Sequence, residues 1–107
     1  MALEVANAIL AQLGGAGRLK AMIGAHCFVG SDQDRDVEIW FKARASNGAN
    51  RVRVQLHPND TYNVEFVRVR RGRDGLPVRS IVHTSYLVYA EDLRPIFEAE
   101  TGLRLSL

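Results

Sequence analysis

Nine side chains give this sequence its clearest chemical feature: Trp40, Lys42, Arg44, Arg51, Arg53, Arg70, Arg71, Arg73 and Arg79. A guanidinium pairs with phosphate or carboxylate through two parallel hydrogen bonds, and an indole among such groups can stack a nucleobase. The same set also has an internal use, in which the indole covers arginine stems across a pair of strands. The residue types therefore point to an anionic macromolecule, either nucleic acid or an acidic protein surface. The alternative is a solvated face that binds nothing.

Other chemistry is poorly supported. His26, His57 and His83 lie far apart, and none has ligand spacing to another His, Cys or carboxylate. Asp32, Asp34 and Asp36 alternate as in a calcium loop, but Val37 and Ala43 stand where such a loop needs glycine and a bidentate glutamate. A solvated acidic turn is the better reading. The glycine-rich run 14–20 lacks the GxxxxGK[ST] spacing of a phosphate loop and follows a helical pattern rather than a strand. The single cysteine, Cys27, lies in an apolar string and reads as a buried small hydrophobe. No catalytic residue, metal ligand or cofactor is expected. A small enzyme using His57 or His83 is the weakest reading.

Charge is unevenly distributed along the 107 residues, although the net value is only +2. Residues 1–41 carry three basic and five acidic side chains, residues 42–79 nine and three, and residues 80–107 two and four. The middle of the chain is thus +6 between two segments of −2 each. Such a patch suits an anionic partner. No apolar run approaches the ~20 residues that span a bilayer, and the amino terminus has no basic leader. A cytoplasmic protein with no membrane partner is expected.

The elements that must position these groups centre on residues 50–71, NRVRVQLHPNDTYNVEFVRVRR. Two alternating runs flank a Pro-Asn-Asp turn, the pattern of a β-hairpin. Val52, Val54 and Leu56 share one face with Tyr62, Val64 and Phe66, opposite Arg51, Arg53 and Gln55. Adjacent apolar residues at Phe66 and Val67 call for a β-bulge near Phe66; without it, Arg68 and Arg70 stay wet only if the strand protrudes past the sheet. Asp60 is expected to bond backbone N–H groups within the turn.

Helical spacing marks residues 2–13 and 17–23, ended by Gly14-Gly15 and Gly24, and residues 91–101, ended by Gly102. Glu91 and Asp92 are placed in the first turn of the last helix. Strands are expected at 25–30, 37–44 and 78–89, with a closing strand at 103–107. The 37–44 strand would set Trp40, Lys42 and Arg44 beside Arg51, Arg53 and Gln55. The whole is one α+β domain, 1–107: N-terminal helices, an antiparallel meander of four to five strands, and a C-terminal helix on one sheet face. An exposed edge strand would permit a homodimer.

Three stretches carry a resemblance: GRLKAMIGAHCFVG (17–30), HPNDTYNVEF (57–66) and YAEDLRPIFEAETGL (89–103). They resemble small, mostly uncharacterised proteins encoded by bacteriophages and prophages. The resemblance implies a bacterial host cytoplasm and a small accessory protein; a non-catalytic role, with inhibition of host defence as one form, is expected. It supplies no site residue. The expected function is binding of a host or phage macromolecule through the basic sheet face, with direct nucleic-acid binding by Trp40 and its arginines as the alternative.

Overall fold

In the computed structural model, which describes residues 4–30 and 35–105, the alternating runs of the central stretch fold as a hairpin. The elements run α1 (Glu4–Gln12), α2 (Ala16–Ile23), β1 (Cys27–Gly30), β2 (Asp36–Trp40), β3 (Arg51–Leu56), β4 (Tyr62–Arg71), β5 (Pro77–Val88), a 3-10 turn (Ala90–Asp92) and α3 (Leu93–Thr101). All five strands form one antiparallel sheet in chain order, as the α+β reading expects. No helix among the described residues is long and apolar enough to cross a membrane.

Period-two alternation puts Val37 and Ile39, Val52 and Val54, and Val64 and Phe66 on one face of the sheet, all essentially buried. The helices cover that face with Ile9 from α1, Leu19 and Ile23 from α2, and Leu93 and Phe97 from α3. Phe97 lies between two aromatic neighbours, with ring centroids 5.8 Å from Phe41 and 6.2 Å from Phe66. Truncating so buried an aromatic typically costs about 3–5 kcal/mol, so α3 is a structural partner of the sheet. Gly24 and Gly102 end α2 and α3 in the left-handed conformation, as their positions in the sequence suggest.

Strand β2 stops at Trp40, four residues short of the expected end. The reason lies in the helix termini, whose last carbonyls lack partners within the helix. Lys42 and Ala43 leave the sheet and both donate their N–H groups to the Ile23 carbonyl at the end of α2 (3.2 and 3.0 Å). Ser46 N–H does the same for Thr101 at the end of α3 (2.7 Å). Phe41, Ala45 and Ala49 point inward from this connector and are buried.

A register irregularity does fall at Phe66/Val67, but its extra residue lies on β5 rather than on β4. β4 pairs with β3 without interruption from Tyr62 to Val67, and the extra residues belong to β5, at Val82 and in the 86–87 segment. Phe66 is in the core, while Val67 is fully buried on the opposite face, level with Arg51 and Ile81. β4 then outruns β3, so Arg68 and Arg70 stay exposed. In the β3–β4 turn it is Asn59, not Asp60, whose side chain accepts the Thr61 N–H (3.2 Å). Asp60 instead takes the left-handed position at φ 65°.

Two other boundaries shift. Glu91 and Asp92 fall in the 3-10 turn before α3 rather than in its first turn. Residues 103–105 form no strand; Leu105 is buried and its N–H donates to Glu98 Oε2 at 2.8 Å. Residues 106–107, together with Asp32, Asp34 and the Cys27 side chain, lie outside the described residues.

Candidate functional site

The face of the sheet away from the helices carries the arginines, and register decides what they meet. β2 and β3 pair Trp40 with Arg51, Glu38 with Arg53, and Asp36 with Gln55. Because β2 ends at Trp40, the hairpin arginines meet the carboxylates of Asp36 and Glu38. Lys42 and Arg44, expected beside them, are on the connector instead.

Each cation on this face has an internal partner. Arg51 lies over the Trp40 ring, its guanidinium carbon 3.7 Å from the ring centre. The indole N–H donates to Glu38 Oε2 at 3.2 Å, and the His26 ring meets the indole edge-on at 6.3 Å. Arg53 donates through Nε and Nη2 to Asp36 Oδ2 (3.1 and 2.6 Å), with Glu65 a further 3.7 Å contact. The Asp36 hydrogen bond is the main cause of a raised Arg53 pKa; desolvation opposes it, and the charges of Asp36, Glu65 and Glu38 each add a smaller raising effect. Arg79 reaches Glu38 Oε1 at 2.6 Å; the approach lies outside hydrogen-bond geometry, so this buried oxygen is charge-compensated without being hydrogen-bonded.

The last contact reports the shape of the sheet. β5 and β2 are three strands apart, roughly 14 Å in a flat sheet. Contact between Arg79 and Glu38 therefore requires the β4–β5 ribbon to coil over the face, as strongly twisted two-stranded ribbons do. Val67 is buried under that cover. The face is concave, with depressions lined by Asp36, Glu38, Arg53 and Arg79 on one side and by Gln55, Asn63, Thr84 and Tyr86 on the other. Three guanidinium groups face three carboxylates, which leaves it near neutrality.

Uncompensated charge lies elsewhere. Lys42, Arg44, Arg70, Arg71 and Arg73 are all exposed, and among the described residues none forms an ion pair. Arg70, Arg71 and Arg73 group at the far end of the β4–β5 ribbon, where Arg68 also lies over Gly48. The Asn50 side chain fastens the connector to this ribbon by bonding both the N–H and the carbonyl of Val69 (2.9 and 2.8 Å). Beside the arginines, Leu76 is 63% exposed.

The histidines are separate. His57 sits at the β3–β4 turn against Asn59 (3.2 Å). His83 is on β5, level with Phe66, and its Nε2 faces both Ser85 Oγ (3.2 Å) and Glu100 Oε1 (3.5 Å). A relay needs the hydroxyl and the carboxylate on different ring nitrogens, so this cluster lacks the geometry of a nucleophile–base–orienter set. Among the described residues, no group of three or more His, Cys, Asp or Glu is placed to hold a metal ion.

Sequence reasoning missed the carboxylate half of the polar face. Glu38 and Glu65 were legible as outward positions, but their pairing depends on where β2 ends. The fold and surface define an α+β protein with an open, edge-exposed antiparallel sheet. The chain matches no protein-family model, no curated protein and no solved structure.

Proposed function

We propose that this chain is a non-catalytic binding module that docks an acidic protein surface through the end of its β4–β5 ribbon. The observation that carries the reading is the sorting of the cations: those on the sheet face are held by Asp36, Glu38, Glu65 and Trp40, while Arg70, Arg71 and Arg73 project unpaired among the described residues. Arginine next to exposed apolar side chains such as Leu76 is the composition of a protein contact surface. Base stacking on Trp40 is disfavoured, because Arg51 already occupies one face of the ring and Glu38 holds its N–H. In line with the phage resemblance, the partner is sought in a bacterial host cell, where interference with a defence protein is one such role.

The test is capture from nuclease-treated bacterial lysate, compared with untreated lysate. The expected result is one specific acidic protein retained after nuclease and lost with the charge reversals Arg70→Glu and Arg71→Glu. Undiminished capture by that variant would remove the ribbon from the interface. Binding to short oligonucleotides that falls steeply with salt would favour nucleic acid instead.

A further inference from the structure

β5 is an edge of the sheet, twelve residues long, and among the described residues it pairs only with β4. Edge strands expose unpaired backbone groups, and proteins normally guard them with lysine, proline or inward-pointing charge. Here Pro77 stands only at the first position, and the one fully charged side chain of the strand, Arg79, is turned across the sheet face to Glu38. The imidazole of His83 faces Glu100 of α3 and the ring of Phe66. The edge therefore presents mainly uncharged side chains. Among the described residues, seven of the eight large apolar side chains that stand exposed lie between Leu76 and Tyr89, with Ile81 60%, Tyr86 70% and Leu87 59% exposed.

We infer that the occupant of this edge is a second copy of the same chain, paired antiparallel about a two-fold axis near Val82 to give a continuous ten-stranded sheet. Charge complementarity selects this partner. The ribbon end before β5 carries Arg70, Arg71 and Arg73 against Asp74, a net +2. The segment after β5 carries Glu91 and Asp92 against Arg94, a net −1, with both carboxylates exposed. An antiparallel two-fold pairing brings the basic end of each copy to the acidic end of the other, twice over. Arg73 and Glu91 are each nine positions from Val82, in the turns that bound β5 at its two ends. Parallel pairing would instead set like charges side by side. About this axis the unbroken run Pro77–Ile81 of one copy meets His83–Leu87 of the other, where the irregularity at 86–87 bends the edge.

This inference shares the ribbon-end arginines with the proposed function but not its partner, and its test uses the purified chain alone. Sedimentation equilibrium from low to several hundred micromolar is expected to show a species of twice the 11.9 kDa chain mass. Ile81→Lys, which restores an edge guard at an exposed position, is expected to yield monomer with unchanged circular dichroism. Glu91→Arg and Arg73→Glu should each weaken association about tenfold, equivalent to about 1.4 kcal/mol, and the combined swap should restore it. A wild-type chain that stays at monomer mass throughout would overturn the inference, as would an unaltered association constant in folded Ile81→Lys.

Discussion

Arg51 and Trp40 are a cross-strand pair in which the guanidinium lies 3.7 Å above the centre of the indole. The pair turns what could be a stacking platform into part of the molecule's own packing. Removing the cation should uncover the ring: Arg51→Ala is expected to cost about 0.5–1 kcal/mol, the range of a partly exposed cation–π contact. Urea unfolding gives the energy, and a red shift of the single tryptophan's emission reports its new exposure to water.

The Arg53–Asp36 pair should behave asymmetrically. The Asp36 side chain is only 11% exposed, whereas that of Arg53 is 39% exposed and partly screened by water. Arg53→Ala strands a nearly buried carboxylate and is expected to cost about 1–2 kcal/mol. Asp36→Asn leaves a solvated guanidinium and should cost less. Chemical denaturation of both variants in one buffer checks the order; equal losses would mean that the carboxylate gains water when its partner goes.

Tyr62 links stability to alkaline pH. Burial of its phenol, and secondarily the charge of Asp60, raise its pKa above the usual value near 10. The folded state then holds the proton more tightly than the unfolded state. Its contribution is fully present below about pH 10 and is lost as pH rises through the folded value. Thermal denaturation from pH 9 upward should show this decline, and Tyr62→Phe should flatten it.

Leu87 is held at φ 55°, a left-handed conformation that is costly for any residue with a branched side chain, and it is 59% exposed. Little packing is lost by removing so exposed a side chain. Leu87→Gly is therefore expected to raise stability by about 1 kcal/mol, read as an increase in the urea midpoint with an unchanged slope.

The hairpin was legible because its alternation is regular and its turn residues are strong. Every glycine stop was legible for the same reason. The end of β2 was not, because Lys42 and Arg44 continue the alternation of Val37 to Trp40 while their backbone is drawn off to satisfy Ile23. That non-local demand moved the two cations off the sheet face. The alternation of β5 was blurred because its extra residues break the phase twice, and only the β4 register reveals where. The expected arginine face thus became a neutral network, with the uncompensated cations left on the ribbon end and the connector.

The connector that bonds the ends of both α2 and α3 has a consequence for how the molecule comes together. The meander alone needs only contacts between chain neighbours, which form early and at small entropic expense. The bond from Ser46 to Thr101 spans about half the chain, and it can form only after α3 has docked. The connector therefore ties the sheet to the final helix across a separation that none of the strand pairings spans.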